Sequence, residues 1–546
     1  MQPVLSAEQI REIDRLTVEN YQTPSLLLME AASGACMEAI RTRLDGDLKD
    51  RKALILCGKG NNGGDGAALA RSMSRAGMHC SVVLFGKLSE TSGDARTNFD
   101  AVARLASFEA GSPEAPPPMT FIECESVAAW EQIAKPRRAY DVIVDALFGT
   151  GLTRPLEGVF LKVIEHLSML REARERVSGV CPLFFSIDIP SGLNADKANP
   201  IGPAVQADLT VTFTAAKAAN VLPPACEFGG ELIVSDIGSP SSLIEAARPQ
   251  VFVTEAEDAR AWLVSTRYTP DSYKNTHGHV LIAAGSRGYS GAAALCGNAA
   301  MRSGAGLVTI ATPASAQVSV ASSAMPEVIT TALAETDRGA VSDEATNHFL
   351  KLAEKATVVA VGPGLTSDDE RTRRFVRTIV EQRTTPCVID ADGLNSLAPW
   401  SIKGSDQHPL ILTPHPGEML RLMGAKDKSA LDDRVAAARE FATAHHVILV
   451  LKGARPLVAT PDGRVFINPT GNAGLGTAGA GDTLTGLISG FLAQDPAHAI
   501  TATVVALYVG GLAGDFAAKR LGMRAMLASD IREHFSDAIR FLDSDV

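Results

Sequence analysis

The sequence of 546 residues has no C-x-x-C pair and no block of five or six like charges. Its eight cysteines (36, 57, 80, 124, 181, 226, 296 and 387) are scattered, several inside apolar runs. That pattern excludes a disulfide framework and a zinc site, and reads as reduced thiols of a cytoplasmic protein. A basic excess is also lacking: 51 Lys and Arg face 62 Asp and Glu, a net charge of −11. Such a balance argues against nucleic acid, whose phosphates need a basic stripe. Glu8, Arg11, Glu12, Asp14 and Arg15 stand where a secretory signal needs an apolar segment. The most apolar stretch, Thr501 to Ala518, is interrupted by Gly510, Gly511, Gly514 and Asp515, and reads as a buried helix of a soluble chain rather than a membrane span.

What is present is an ordinary globular composition, 46% hydrophobic and 21% charged, which excludes wholesale disorder. At roughly 150 residues per domain the length divides into about three and a half domains. The pattern gives fewer. Short apolar runs at Ala53–Cys57, Cys80–Phe85, Asp141–Leu147, Leu183–Ile187 and Leu209–Phe213 alternate with helical segments. They are mostly unalternated, as strands covered on both faces are, so a parallel doubly wound sheet is expected. A second series begins at His279–Ala284 and continues through Leu307–Ala311, Thr357–Val361, Pro386–Asp390, Leu410–Thr413 and Val447–Leu451. We therefore expect two α/β domains, 1–240 and 261–546, joined by a linker over 241–260. At the N-terminus Ser6 and Gln9 have the spacing of a capping box, and Pro113–Pro118 reads as a surface loop.

In the first domain, Gly58-Lys-Gly-Asn-Asn-Gly-Gly-Asp-Gly66 follows a strand and precedes a helix expected over Ala67–Ala76. Gly58, Gly60 and Gly63 match G-x-G-x-x-G, but the next strand ends without the acid that a dinucleotide site places on the ribose. By itself the loop is also readable as a tight turn; Asn61, Asn62 and Asp65 make it a polar pocket. Asp145 and Asp188 stand at the ends of two further strands, followed by Gly149-Thr-Gly-Leu-Thr-Arg-Pro155 and by Ile-Pro-Ser-Gly192. Strand ends of a doubly wound sheet converge on one crevice, where two carboxylates form an acid–base pair or hold a cation, or each caps a helix. Arg154 is available for a phosphate.

In the second domain the strand-end loops are Gly285–Ala292, Gly362-Pro-Gly364, Asp390–Asn395, Pro414–Glu418 and Lys452–Pro456. The strongest element is Gly479-Ala-Gly-Asp482, running into an apolar helix. Backbone N–H groups at a helix start favour an anion, and Asp482 beside them can take the proton of a hydroxyl undergoing phosphoryl transfer. This loop is shared by ribokinase-like folds. A structural helix cap is the alternative, as it is for His415, while Lys452 is open to a phosphate or to solvent.

Taken in order, GKGNNGGDG, VDALFGTGLTRP, SIDIPSGLNAD and FTAAKAANVLPPACEFGGELIVSDIG resemble the NAD(P)H-hydrate epimerase family over nearly all of residues 1–240. The resemblance implies a Rossmann-like domain whose substrate touches Asn61, Asn62, Gly63, Gly64 and Asp65, then Gly149, Thr150, Gly151, Leu152, Thr153, Arg154 and Pro155. It further implies Asp188 as the acid–base residue and a potassium ion on Asn62, Asp145 and Ser191. Met29-Glu-Ala-Ala32 departs from the family, which has Asn or Arg before Ala-Gly there.

GSRGYSGA, VGPGL, VIDADGLN, LTPHPGE, LKGA and AGAGDTLTG resemble the ADP-dependent NAD(P)H-hydrate dehydratase family over about residues 265–546. This implies a ribokinase-like domain in which Ala292, Gly364, His415 and Asp482 contact the hydrated nicotinamide nucleotide. Lys452, Gly453, Ala454, Arg455, Pro456 and the Gly479, Ala480 and Gly481 amides would hold ADP, with Mg2+. The fused order is similar to that of bacterial bifunctional repair enzymes. It implies epimerisation of R- and S-NADHX and NADPHX at C6, then ADP-dependent dehydration of the S form to NAD(P)H, AMP and phosphate, by a homo-oligomer. A small-alcohol kinase of the hydroxymethylpyrimidine type fused to a nucleotide-binding domain is the alternative, and a non-catalytic scaffold with two nucleotide folds a more distant one.

Overall fold

The computed structural model describes residues 1–109, 119–134, 140–176 and 182–543; the Pro113–Pro118 segment and Cys181 lie outside them. Two compact units emerge, Pro3–Pro249 and Gln250–Val546, with Met1 and Gln2 counted in the second. The stretch read as a linker is structured, carrying the helix Ser241–Ala246, the strand Val251–Val253 and the start of the helix Ala256–Ser265.

Among the described residues the first unit has a seven-stranded sheet, in the order 119–123, 79–84, 52–57, 142–146, 183–187, 209–213, 231–235. Every neighbouring pair is parallel. Val142–Ala146, Leu183–Ile187 and Leu209–Phe213 are buried along their whole length, which is why they read as unbroken apolar runs. Strand order reverses between 52–57 and 142–146, the switch point at which a doubly wound sheet leaves a crevice outside its strand ends. Ser6 and Gln9 do form a capping box, starting the helix Ala7–Tyr21.

One expectation is corrected here. The helix after Cys57 starts at Asn61, not Ala67, so Asn61 to Gly66 form its first turns. The glycines allow this by close packing. A Cβ on Gly63 would lie 1.8 Å from the Gly58 carbonyl oxygen, and one on Gly66 would lie 2.6 Å from Ala146 Cβ. Residue Gly60 caps the helix without a side-chain hydrogen bond, which leaves its first N–H groups available.

Among the described residues the second unit's sheet runs in the order 251–253, 465–467, 457–459, 448–451, 410–412, 387–389, 358–361, 279–283, 307–313, 329–333. Here the strand order reverses between 279–283 and 358–361. Leu457–Ala459 runs antiparallel to Ile448–Leu451, because the connection over Lys452–Pro456 is too short for a crossover. The helix Ala499–Leu521 is long and apolar enough to span a membrane, yet its central residues, Ala502 to Leu507 among them, are buried in the unit's core. Of the seven described cysteines all but Cys226 are buried.

Candidate active sites of the two units

In the first unit the strand ends beside the switch point carry Asp145 and Asp188. Asp145 is fully buried and accepts four hydrogen bonds. Ser191 Oγ donates at 2.6 Å, Ser191 N at 2.8 Å, Ser186 Oγ at 3.0 Å and Leu147 N at 3.3 Å. Burial pushes its carboxyl above the ordinary range against the pull of these donors. Ser191 Oγ also lies 3.3 Å from the Phe148 carbonyl. Carboxylate, hydroxyl and carbonyl oxygens thus cluster beside the glycine loop, a donor set suited to a hard cation.

Asp188 sits in the left-handed region with φ +66°, a conformation costing about 1–3 kcal/mol for a residue with a side chain. Its own backbone is tied on both sides: its N–H donates to the Val211 carbonyl at 2.7 Å, and its carbonyl accepts from Asn220 Nδ2 at 3.2 Å. Asp188 Oδ1 accepts from Lys217 Nζ at 2.7 Å and from Thr212 Oγ1 at 2.9 Å. Lys217, only 1% exposed, spends its other two N–H bonds on Thr212 Oγ1 at 2.8 Å and on the Phe213 carbonyl at 3.1 Å. Asp188 Oδ2 faces the glycine loop: a Cβ on Gly149 would lie 3.1 Å from it and 3.2 Å from Asn62 Oδ1.

Asn62, Gly149 and Asp188 therefore meet at one place, and the Asn62 Nδ2 atom there is buried without a partner. Asp65, four residues into the same helix, is raised well above the carboxylate range by burial, then by the Asp188 and Asp14 carboxylates. The remaining predicted residues divide by exposure. Gly151, Thr153, Arg154 and Pro155 are exposed, Thr150 is intermediate, and Leu152 packs its side chain into the core, leaving its backbone to the loop. Lys217, Thr212, Asn220 and Asp14 were not singled out as site residues from the sequence. Lys217 lies inside the quoted FTAAKAAN motif, but nothing in its spacing marks it as an ion-pair partner.

In the second unit the pattern recurs around Asp390. This buried carboxylate pairs with Lys452 Nζ at 2.7 Å through Oδ1 and accepts from Thr485 Oγ1 at 2.8 Å through Oδ2. Burial works to raise its pKa, yet the Lys452 ammonium and these hydrogen bonds outweigh it and hold the group below the ordinary range. Ala391, next in the chain, has φ +49°. Gly479, with φ +85°, caps the helix Ala480–Gln494 without a side-chain hydrogen bond, and the Ala480 N–H donates to the Thr477 carbonyl at 3.3 Å. A Cβ on Gly481 would lie 3.4 Å from Lys452 Nζ and 3.7 Å from Asp390 Oδ2, which sets the helix start directly over the ion pair. Asp482 beside it is pushed up to about 7, first by burial and then by Asp390, against the pull of Lys452.

Gly364, φ +65°, meets the other loop at the switch point: a Cβ there would lie 2.9 Å from the Tyr289 carbonyl and 3.0 Å from Ala292 Cβ. His415 caps the helix Pro416–Met423, its Nδ1 accepting from the Gly417 N–H at 3.0 Å, while the ring stays exposed. The other ring nitrogen, Nε2, lies 3.5 Å from Glu418 Oε1. Over the Lys452–Pro456 loop, Gly453 and Ala454 are exposed and Arg455 and Pro456 intermediate. Arg434 braces this loop through the Ala454 carbonyl at 2.9 Å and the Lys452 carbonyl at 3.3 Å. Asp390, Thr485 and Arg434 had no assigned role in the sequence reading.

Comparison with known proteins places each unit. The family described as YjeF-related protein N-terminus matches residues 25–219, and the NAD(P)H-hydrate dehydratase family matches residues 280–536. The bifunctional NAD(P)H-hydrate repair enzyme of Moorella thermoacetica is 37% identical over 545 residues, covering 100% of this chain and 98% of that one. Its Escherichia coli counterpart is 32% identical over 543 residues, covering 99% and 94%. Among solved structures, the ADP/ATP-dependent NAD(P)H-hydrate dehydratase of Bacillus subtilis, co-crystallised with ATP and Mg2+, is 30% identical. It covers 54% of this chain and 99% of that one, with a TM-score of 0.46.

Proposed function

The chain belongs to the bifunctional NAD(P)H-hydrate repair enzymes, and on that premise we propose that its first unit epimerises hydrated NADH and NADPH and its second dehydrates the S form at the expense of ADP. The observation that carries the reading is the presence of two strand-order switch points, one per unit, each with glycine loops and an acid beside them. A fused kinase would leave the first of them without a use.

In the first unit Asp188 Oδ2, facing Asn62 and Gly149, exchanges the proton at the C6 hydroxyl, while Lys217 and Thr212 fix the carboxylate through Oδ1. The ring nitrogen's lone pair assists loss and return of that hydroxyl. Asn61 to Asp65 and Gly149 to Pro155 line the substrate, with Arg154 for a phosphate. The oxygens of Asp145, Ser191 and Asn62 fit potassium: turning the Asn62 amide replaces its unpartnered buried N–H by a carbonyl. Bound there, the ion would hold the loops and a substrate phosphate together.

In the second unit Asp482 takes the C6 hydroxyl proton, and the hydroxyl oxygen bonds the terminal phosphorus of ADP as AMP departs. The Gly479, Ala480 and Gly481 amides stabilise the phosphoryl oxygens, and Lys452 with Gly453 to Pro456 holds the nucleotide. Phosphate then leaves C6, a proton leaves C5, and the nicotinamide double bond is restored. Phosphate is a far better leaving group than hydroxide, which gives ADP its role. Mg2+, when bound with the nucleotide, neutralises phosphate charge. Ala292, Gly364 and His415 line the nicotinamide side. We place the enzyme in the cytoplasm as a soluble homo-oligomer.

The test is direct: incubation with mixed epimers of hydrated NADH and ADP restores the absorbance of reduced nicotinamide and releases AMP. A stable phosphorylated product, or no recovery, would overturn the reading.

A further inference from the structure

We propose that Asp14 is the second acid–base group of the first unit's site, the partner of Asp188 in inverting C6; the inference rests on the epimerase reading above. Inversion through loss and return of a hydroxyl needs a donor for the departing oxygen on one face of the ring. It also needs an acceptor for the entering water on the other. Asp188, ion-paired with Lys217, supplies a carboxylate for one of these tasks.

Asp14 has the complementary character. It lies on the helix Ala7–Tyr21, whose Ile10, Ile13 and Thr17 are buried. Its Oδ1 atom is buried and has no hydrogen-bond partner. The nearby cation cannot serve it, because all three N–H bonds of Lys217 are spent on Asp188, Thr212 and Phe213. A buried carboxylate oxygen without a donor is costly, about 1–3 kcal/mol or more for a charged group. The charge part of that cost disappears when the group carries its own proton, and the rest when a ligand supplies a hydrogen-bond partner.

The electrostatics agree. The groups acting on Asp14 are Lys217 and Asp188, and Asp14 in turn acts on Asp65. Burial, then the charges of Asp65 and Asp188, raise the buried thiol of Cys36, on the helix Ser25–Arg43. Carboxyl groups within electrostatic reach of one another raise each other's pKa values, and the one ammonium among them is bonded to Asp188. Asp65 is held well above the ordinary carboxylate range by burial, then by Asp188 and Asp14. Asp14 is raised only to about 6, by burial and Asp188 against Lys217, so it is the carboxyl able to give and regain a proton near neutral pH.

The step then balances. The Asp14 carboxylic proton passes to the C6 oxygen, the C6–O bond breaks with the electron pair on oxygen, and the ring nitrogen's lone pair forms the C6=N bond. One water leaves. A second water attacks C6 from the opposite face and gives a proton to the Asp188 carboxylate. The net change is one proton moved from Asp14 to Asp188. The opposite epimer reacts with the roles exchanged, and both groups re-equilibrate with solvent between turnovers.

The experiment uses the full chain carrying Asp14→Asn or Asp14→Glu. Interconversion of the epimers is followed by chromatography without ADP, and dehydration of the S epimer with ADP is measured on the same preparations. Asp14→Asn is expected to lower kcat for epimerisation by about 10²–10⁴-fold with dehydration unchanged. Asp14→Glu should restore part of the activity with a displaced pH profile. Epimerisation by Asp14→Asn within about threefold of wild type, with an unaltered pH profile, would overturn the proposal. So would equal loss in both variants accompanied by unfolding of the first unit, since that marks a structural residue. A wild-type protein that dehydrates but never epimerises would defeat the epimerase reading instead.

Discussion

Asp482 and Asp390 stand in one site, yet their chemistry is divided by a single neighbour. Lys452 is bonded to Asp390 and holds it ionised, while Asp482 is raised to about 7 by burial and by the charge of Asp390. A base must be deprotonated to act, so kcat/KM for dehydration is expected to rise as pH passes through about 7 and to level above it. Asp482→Asn should remove that limb and lower kcat/KM by roughly 10²–10⁴-fold, leaving epimerisation intact. A pH profile unchanged by the substitution would show that the limb belongs elsewhere. Asp188 was legible in the sequence because it ends the apolar run Leu183–Ile187, and Asp482 because it follows Gly479-Ala-Gly481 at the start of an apolar helix. Asp14 was not. On an amphipathic helix it looks like the other acids nearby, Glu8 and Glu12, until the fold buries one of its oxygens.

At the scale of elements, both units build their sites in the same way. In each a helix begins at a glycine without a side-chain cap, at Gly60 directly after the strand Lys52–Cys57 and at Gly479 after the short turn Ala473–Gly476. The glycines are needed for contact rather than flexibility alone. Gly149 has neither a positive φ nor a helix to break, but its missing side chain leaves room between Asp188 Oδ2 and Asn62 Oδ1. Gly149→Ala is therefore expected to reduce epimerisation by about a hundredfold, through displacement of the reacting group, with ADP-dependent dehydration unchanged. Equal activity in the variant would mean that substrate does not pass this point. The strand ends were readable from apolar runs; the early start of the helix at Asn61 was not, since Asn-Asn-Gly-Gly is a turn by local preference. Packing against the Gly58 carbonyl and Ala146 overrides that preference.

Across the whole molecule each unit has its own sheet and its own buried core. Calorimetry should accordingly resolve two unfolding transitions. ADP at about 100 times its Kd adds about 2.7 kcal/mol to the unit that binds it, a shift of roughly 5 °C, and should leave the first unit's transition in place. A common shift of both transitions would contradict independent binding. Composition and periodicity determined that this chain folds as α/β units, and its glycine-and-acid loops determined which strand ends carry chemistry, because those signals are local. Tertiary structure alone decided the partners: Lys217 with Asp188, Lys452 with Asp390, Gly149 against Asn62, and Asp14 beside a lysine that has no bond left to give. Those residues are far apart along the chain, and only the crossing order of the strands brings them within hydrogen-bonding or electrostatic range.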